Sequence, residues 1–402
     1  MPRTMTGKKL ETPIKQILPG RPVSEVISAV GHRLRGCRRV HTTIDRREHD
    51  MTTTLRNVRV FDGDRLLEPG TVVIDGALIG NPGPEGTDVD GRSGVLLPGL
   101  FDAHVHLLGP DDLDRLAASG VTTALDMACW PPPHVDALRG RVPDIRSAGT
   151  PAIGAGGPHA RMPGMPADAI LSAPEEAEPF VAKRVAEGSD YIKIVAERPG
   201  PDMLDQATVD ALVAAARAHG KLSVAHASSV AAYRTAVQAG VDVVTHVPLD
   251  GVLDDETVAR MVAEGQVAVP TLSMMEATVR GRGRPGEAYE NARDSVAALH
   301  AAGVPVLAGT DANSAPGSPS PVSHGDSLHH ELALLVEAGL STVEALRSAT
   351  SLPARCFGLG DRGSITPGLR ADLVLVTGDP LADIAATRSI ERIWCAGVDV
   401  TR

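Results

Sequence analysis

Six side chains placed within or at the ends of apolar runs carry the chemistry of this sequence. In LPGLFDAHVH, Leu97–His106, a Pro-Gly turn leads into a short apolar run that closes on two histidines two residues apart. Side chains on a β-strand alternate with a period of two, so His104 and His106 point to one face and Val105 to the other. That arrangement offers two imidazoles to one metal ion. Further along, Lys193 lies inside the apolar run YIKIV, His226 follows SVA, His246 follows VVT and Asp311 follows LAGT. Each residue alone has an ordinary reading: a hydrogen-bonded core histidine, a lysine whose amine reaches solvent, an aspartate that caps a helix. Six such residues at strand ends, in the order two His, Lys, His, His, Asp, point instead to one polar centre.

The elements that must position them form a regular pattern. Short β-branched runs alternate with Ala-rich stretches of helical period, which reads as repeated βα units around a parallel sheet. Eight runs qualify as strands: LPGLFDAHVH, VTTALDM, PAIGAG, YIKIVA, KLSVAH, VDVVTHV, QVAVPTL and VPVLAGTD. The prediction is an α/β fold whose residues 97–362 form a (β/α)8 TIM barrel, with the active site at the C-terminal ends of the strands. Residues 52–96 and 363–402 alternate apolar and polar positions between turns, and neither piece has enough apolar surface for a core of its own. They are therefore expected to pair into one small composite β-sandwich.

Composition sets limits on the rest. The chain has 402 residues and a formal charge of −11, yet residues 1–50 hold eleven Lys and Arg against five Asp and Glu. The acidic remainder argues against nucleic acid as a partner, and residues 1–50 are expected to be a disordered or non-native leader with no part in the chemistry. No apolar run approaches the roughly 20 residues that span a bilayer. A cytoplasmic protein without membrane contact, able to form a homo-oligomer, is expected. The four cysteines lack CxxC spacing, so packed thiols are expected in place of disulfides or a cysteine zinc site.

With those residues in view, the sequence resembles the amidohydrolase superfamily, and within it the imidazolonepropionase-like and Xaa-Pro-dipeptidase-like amidohydrolases. The likeness runs from about Leu55 to the C-terminus. The resemblance implies two divalent metal ions, zinc by preference: His104 and His106 on the more buried one, His226 and His246 on the second. It also implies that Lys193 carries CO2 as a carbamate bridging both, and that Asp311 ligates the first ion and serves as the catalytic general base and acid. The physical logic agrees. A lysine cation would repel two metals, whereas the carbamate formed from the neutral amine is an anionic oxygen ligand, and burial favours that neutral amine. Metal ions so held lower the pKa of a bridging water from about 15.7 towards 7, giving hydroxide at neutral pH.

Loop residues supply candidates for substrate contact: His159 and Arg161 after the third strand, with Arg161 suited to a carboxylate, and Asn313 and His324 after the eighth. His324 could equally order the metal shell. His329 and His330 are expected to be exposed on the helix that follows. The function expected is a hydrolase cleaving an amide-type C–N bond in a small molecule, such as an N-acyl amino acid, a dipeptide or a cyclic amide. Hydrolysis of an ester, lactone or phosphotriester on the same centre, a metal-dependent decarboxylase, and a non-catalytic scaffold are the alternatives.

Overall fold

The computed structural model describes residues 52–81, 86–162, 164–315 and 320–401. The expectation for residues 1–50 lies outside them. The first strands are β1 (Thr52–Val60), β2 (Gly70–Asp75), β3 (Leu78–Gly80), β4 (Thr87–Asp90) and β5 (Val95–Pro98). β1 runs antiparallel to β2 and parallel to both β4 and β5.

The site is carried by the next group: β6 (Leu100–His106), β7 (Val121–Asp126), β8 (Asp144–Ser147), β9 (Ile192–Val195), β10 (Ser223–His226), β11 (Val243–Thr245), β12 (Val267–Val269) and β13 (Ala312–Asn313). They form two four-stranded parallel sheets, ordered β13-β6-β7-β8 and β12-β11-β10-β9. Helices with clear start and stop signals separate the strands. Asp205 and Ser229 accept backbone N–H groups at the starts of helices Gln206–Ala218 and Val230–Ala239. Gly240 and Gly265, at φ 74 and 66, end Val230–Ala239 and Asp255–Glu264 in the left-handed conformation. Because helices cover the outer faces, β7, β9, β11 and β12 are buried along their whole length. Ala103, Leu125, Val224, Val243, Val267 and Leu307, drawn from successive strand segments, pack into an apolar cluster separate from the one between strands and helices.

Two expected strands take a different form. The ladder expected at PAIGAG lies upstream at Asp144–Ser147; from the expected run only Ala152 bridges Ile194 of β9. Pro151 has no N–H to donate, and a side chain on Gly154 would come within 2.7 Å of the Asp202 carbonyl. The run VPVLAGTD is not a laddered strand either. It is held by a parallel bridge from Val306 to Ala268 and by the Ala103 N–H donated to the Ala308 carbonyl at 2.9 Å. Pro305 again removes a donor. Gly309 lets the segment approach, since a Cβ there would sit 2.5 Å from Val269 Cγ1 and 2.9 Å from the His104 nitrogen.

The chain then returns through β14 (Leu373–Val376), β15 (Ile390–Cys395) and β16 (Val398–Asp399). β14 lies antiparallel between β5 and β15. The two ends of the chain thus share one eight-stranded sheet, ordered β16-β15-β14-β5-β1-β2-β3 with β4 beside β1. Leu55, Ile74, Leu96, Leu373 and Trp394 are buried together in its core. Among the described residues Cys129, Cys356 and Cys395 are free thiols, and no helix is long and apolar enough to cross a membrane.

Candidate metal centre

β6, β9, β10 and β11 place Lys193 in their midst and His104, His106, His226 and His246 at or just past their C-terminal ends. Asp311 joins them because its N–H donates to the His104 carbonyl at 2.8 Å, pinning the eighth segment to β6. Asp311 Oδ1 lies 3.2 Å from His104 Nε2 and 3.0 Å from His106 Nε2. The ring of His246 lies 4.9 Å from that of His104 and 4.4 Å from that of His226, centroid to centroid. All six residues expected from the sequence are therefore near neighbours at one place.

The donor atoms fit a cation better than they fit each other. His104 Nε2 and Asp311 Oδ1 are buried, and neither has a hydrogen-bond partner within the described residues despite their 3.2 Å separation. Unpartnered buried polar atoms are costly. Donors bonded at about 2.0–2.1 Å to one tetrahedral ion stand about 3.3 Å apart, close to what is observed. Protonation states agree. Burial pushes His104 down to about 3 and pushes His226 and His246 well below the usual histidine range, leaving neutral imidazoles. Burial pushes Asp311 up, but the close approach of the His104 and His106 rings outweighs it and holds the carboxyl well below the usual range. Burial also pushes the Lys193 amine down to about 7, against the upward pull of Asp311 and Asp126.

A shell of fixed hydrogen bonds holds these groups in place. The buried Asp102 carboxylate accepts from Thr310 N at 3.0 Å, Thr310 Oγ1 at 2.7 Å and His104 N at 3.2 Å, clamping β6 to the segment that carries Asp311. Lys193 Nζ donates to Thr245 Oγ1 at 3.0 Å, and that hydroxyl donates to the Ala225 carbonyl. Thr271 Oγ1 lies 2.8 Å from His246 Nδ1, fixing the ring. Three of these residues, His246, Thr271 and Asp311, have φ of 72, 50 and 58. Such left-handed backbone at non-glycine residues costs about 1–3 kcal/mol each and persists where the surroundings dictate it.

The loop candidates separate into groups. His324 is buried, with Nε2 3.0 Å from the His106 carbonyl and Nδ1 3.3 Å from Asp112 Oδ1, so it buttresses the end of β6. Asn313 pairs with His106 in the β13–β6 ladder and its side chain accepts from Ala315 N. Arg161 is exposed at the end of the turn Pro158–Arg161. His159, on the same turn, reaches inward and lies 2.8 Å through Nδ1 from Glu197 Oε1. His329 is buried against Thr387 and Ser119, correcting the expectation of exposure: it faces the neighbouring turn, while His330 is half-buried against Glu276. Glu197 is absent from the sequence expectation. It follows Lys193 by four residues, but β9 ends at Val195, so strand period does not assign it a face.

Comparison with known proteins places this geometry. The model of the amidohydrolase family matches residues 95–400. An uncharacterized protein of Mycobacterium bovis is 30% identical over 338 residues, covering 77% of this chain and 85% of that protein. An adenine deaminase of Bacillus licheniformis is 26% identical over 369 residues, covering 85% of this chain, which spans 57% of that enzyme's length. Among solved structures, a Xaa-Pro dipeptidase with bound methionine in the active site is similar in fold, with a TM-score of 0.75 at 24% identity, covering 87% of this chain and 100% of that one.

Proposed function

The chain belongs to the amidohydrolase family, and from that premise we propose that it is a metal-dependent hydrolase cleaving a carbon–nitrogen bond in a small molecule. The observation that carries this reading is the set of donor atoms of His104, His106 and Asp311, all within 4.8 Å of one another, two of them buried without partners. We read the eight parallel segments as one closed (β/α)8 barrel with the centre at its mouth. The links from Ala152 to β9 and from residues 306–308 to β12 and β6 support closure, as does the apolar cluster drawn from successive strands. The eight-stranded sheet of both chain ends is read as a small sandwich around its own core.

In this reading His104, His106 and Asp311 hold the more buried of two divalent cations, zinc by chemistry of the donor set, and His226 and His246 hold the second. Lys193, as its carbamate, would add an anionic oxygen donor to this set. Ions held there would supply Lewis acidity towards a carbonyl and a water molecule. Asp311 takes the proton of the attacking water on its carboxylate and returns it to the leaving nitrogen. The clamp from Asp102 and the hydrogen bond from His324 keep β6 and Asp311 in register for that transfer. The name of the adenine deaminase relative and the fold of the dipeptidase neighbour support attack at a C–N bond; an N-acyl amino acid, a dipeptide or a cyclic amide is the substrate class proposed.

The test is a release assay with zinc-loaded protein on matched amides, esters and carboxylic acids. Amine release from an amide is the expected result. Turnover confined to esters or phosphotriesters, or loss of CO2 from an acid, would overturn the C–N assignment.

A further inference from the structure

Beside the centre lies a second group of metal-type donors that the six-residue set does not include. His159, Glu197 and His226 each place one donor atom within 4.8 Å of the others. The ring of His159 packs edge-on to that of His226 at 4.9 Å, and His226 packs against His246 at 4.4 Å. A row of imidazoles therefore runs outward from fully buried His104 through His246 and His226 to His159, whose side chain is 29% exposed. Two imidazoles and one carboxylate are the protein ligands of many cation sites that keep open positions. The 2.8 Å between His159 Nδ1 and Glu197 Oε1 is near the roughly 3.0 Å edge of an octahedral set with bonds of about 2.1 Å.

We propose that His159, Glu197 and His226 form an outer cation position beside the buried pair of positions, sharing His226 as a bridging imidazolate: one ring nitrogen serves each ion, and the ring proton is released to solvent when the outer ion binds. It takes a divalent transition-metal ion of the zinc or cobalt type. Being partly exposed and completed by solvent, it binds more weakly and exchanges faster than the inner positions. Glu197 is essential to it: the carboxylate supplies a negative charge that His159 does not. The proposal rests on the reading of His226 as an inner ligand only in that the shared residue couples the two positions.

Chelated, metal-free protein is titrated with cobalt(II), and bound cobalt is followed by calorimetry and by the visible spectrum. Wild-type protein is expected to show a weak class of sites after the tight class fills. Both His159→Ala and Glu197→Gln should weaken that class at least about tenfold and leave the tight class in place. Equal weak binding in the wild type and both variants, or no weak class in the wild type, would overturn the proposal. A rise in KM in either variant with cobalt binding unchanged would make the pair a substrate contact and overturn it as well. Failure of the preceding functional reading looks different, because the tight class itself would then be missing.

Discussion

Replacing Lys193 by Ala tests the proposed conversion of a buried amine into an anionic ligand. Lys193 is 3% exposed, and burial brings its amine down to about 7. At pH 7 such an amine is about half neutral, whereas a free lysine titrating near 10.4 is neutral in well under about 0.1% of molecules. Burial therefore raises the fraction able to react with CO2 by roughly a thousandfold. The sign follows: below about pH 7 the amine becomes a cation, cannot add CO2 and repels metal, so carbamate yield and metal content fall together as the solution is acidified. With 13C-labelled bicarbonate, the wild type should give a carbamate carbon resonance at pH 8 that fades towards pH 6. Lys193→Ala should lack it, bind less metal, and regain part of both metal and activity with short carboxylic acids. An unchanged metal content in Lys193→Ala, together with no labelled resonance in the wild type, would rule out Lys193 as a carbamate ligand.

Three further outcomes are expected. Asp311→Asn should abolish turnover while most bound metal remains, measured as rate and metal per chain; wild-type rate would remove Asp311 from proton transfer. Gly309→Ala should lower stability by about 1–3 kcal/mol, because its Cβ would meet Val269 and the His104 nitrogen, and should reduce metal content as well; denaturant melts and metal analysis check both. Buried Glu331, pushed up to about 7 by burial despite bonds from Leu272 N and Ser273, is protonated in the fold at a pH where it ionises in the unfolded chain. Its contribution is thus full below about pH 4.5 and is lost as pH rises through about 7, on the order of 3 kcal/mol. Glu331→Gln should be less stable than the wild type at pH 5, by denaturant melts, and the gap should narrow towards pH 8; a widening gap contradicts the assignment.

The six residues were legible because their types stand out against their surroundings. A lysine inside YIKIV or a histidine after VVT interrupts an apolar run, and strand period then assigns a face. Glu197 was hidden by position: it opens the charged segment Glu197-Arg198, which reads as a solvated loop, and only the fold brings it to His159. Asp102 was legible as a residue and illegible as a clamp, since Thr310 is distant in sequence. The third and eighth segments were misread at the backbone level. Pro151 and Pro305 cannot donate, so single bridges replace ladders there, and close approach at Gly309 depends on a neighbour that sequence does not reveal. The mixed sheet of both chain ends was visible as texture, while its order, with β14 inserted between β5 and β15, follows from register alone.

The most direct test of the central claim measures nitrogen release from the amide panel by one preparation in three states: as purified, after chelation, and after return of zinc. A metal-borne reaction predicts that release from at least one amide disappears on chelation and returns as two tightly bound equivalents of zinc per chain are restored. Release that continues unchanged in chelated, metal-free protein would contradict it.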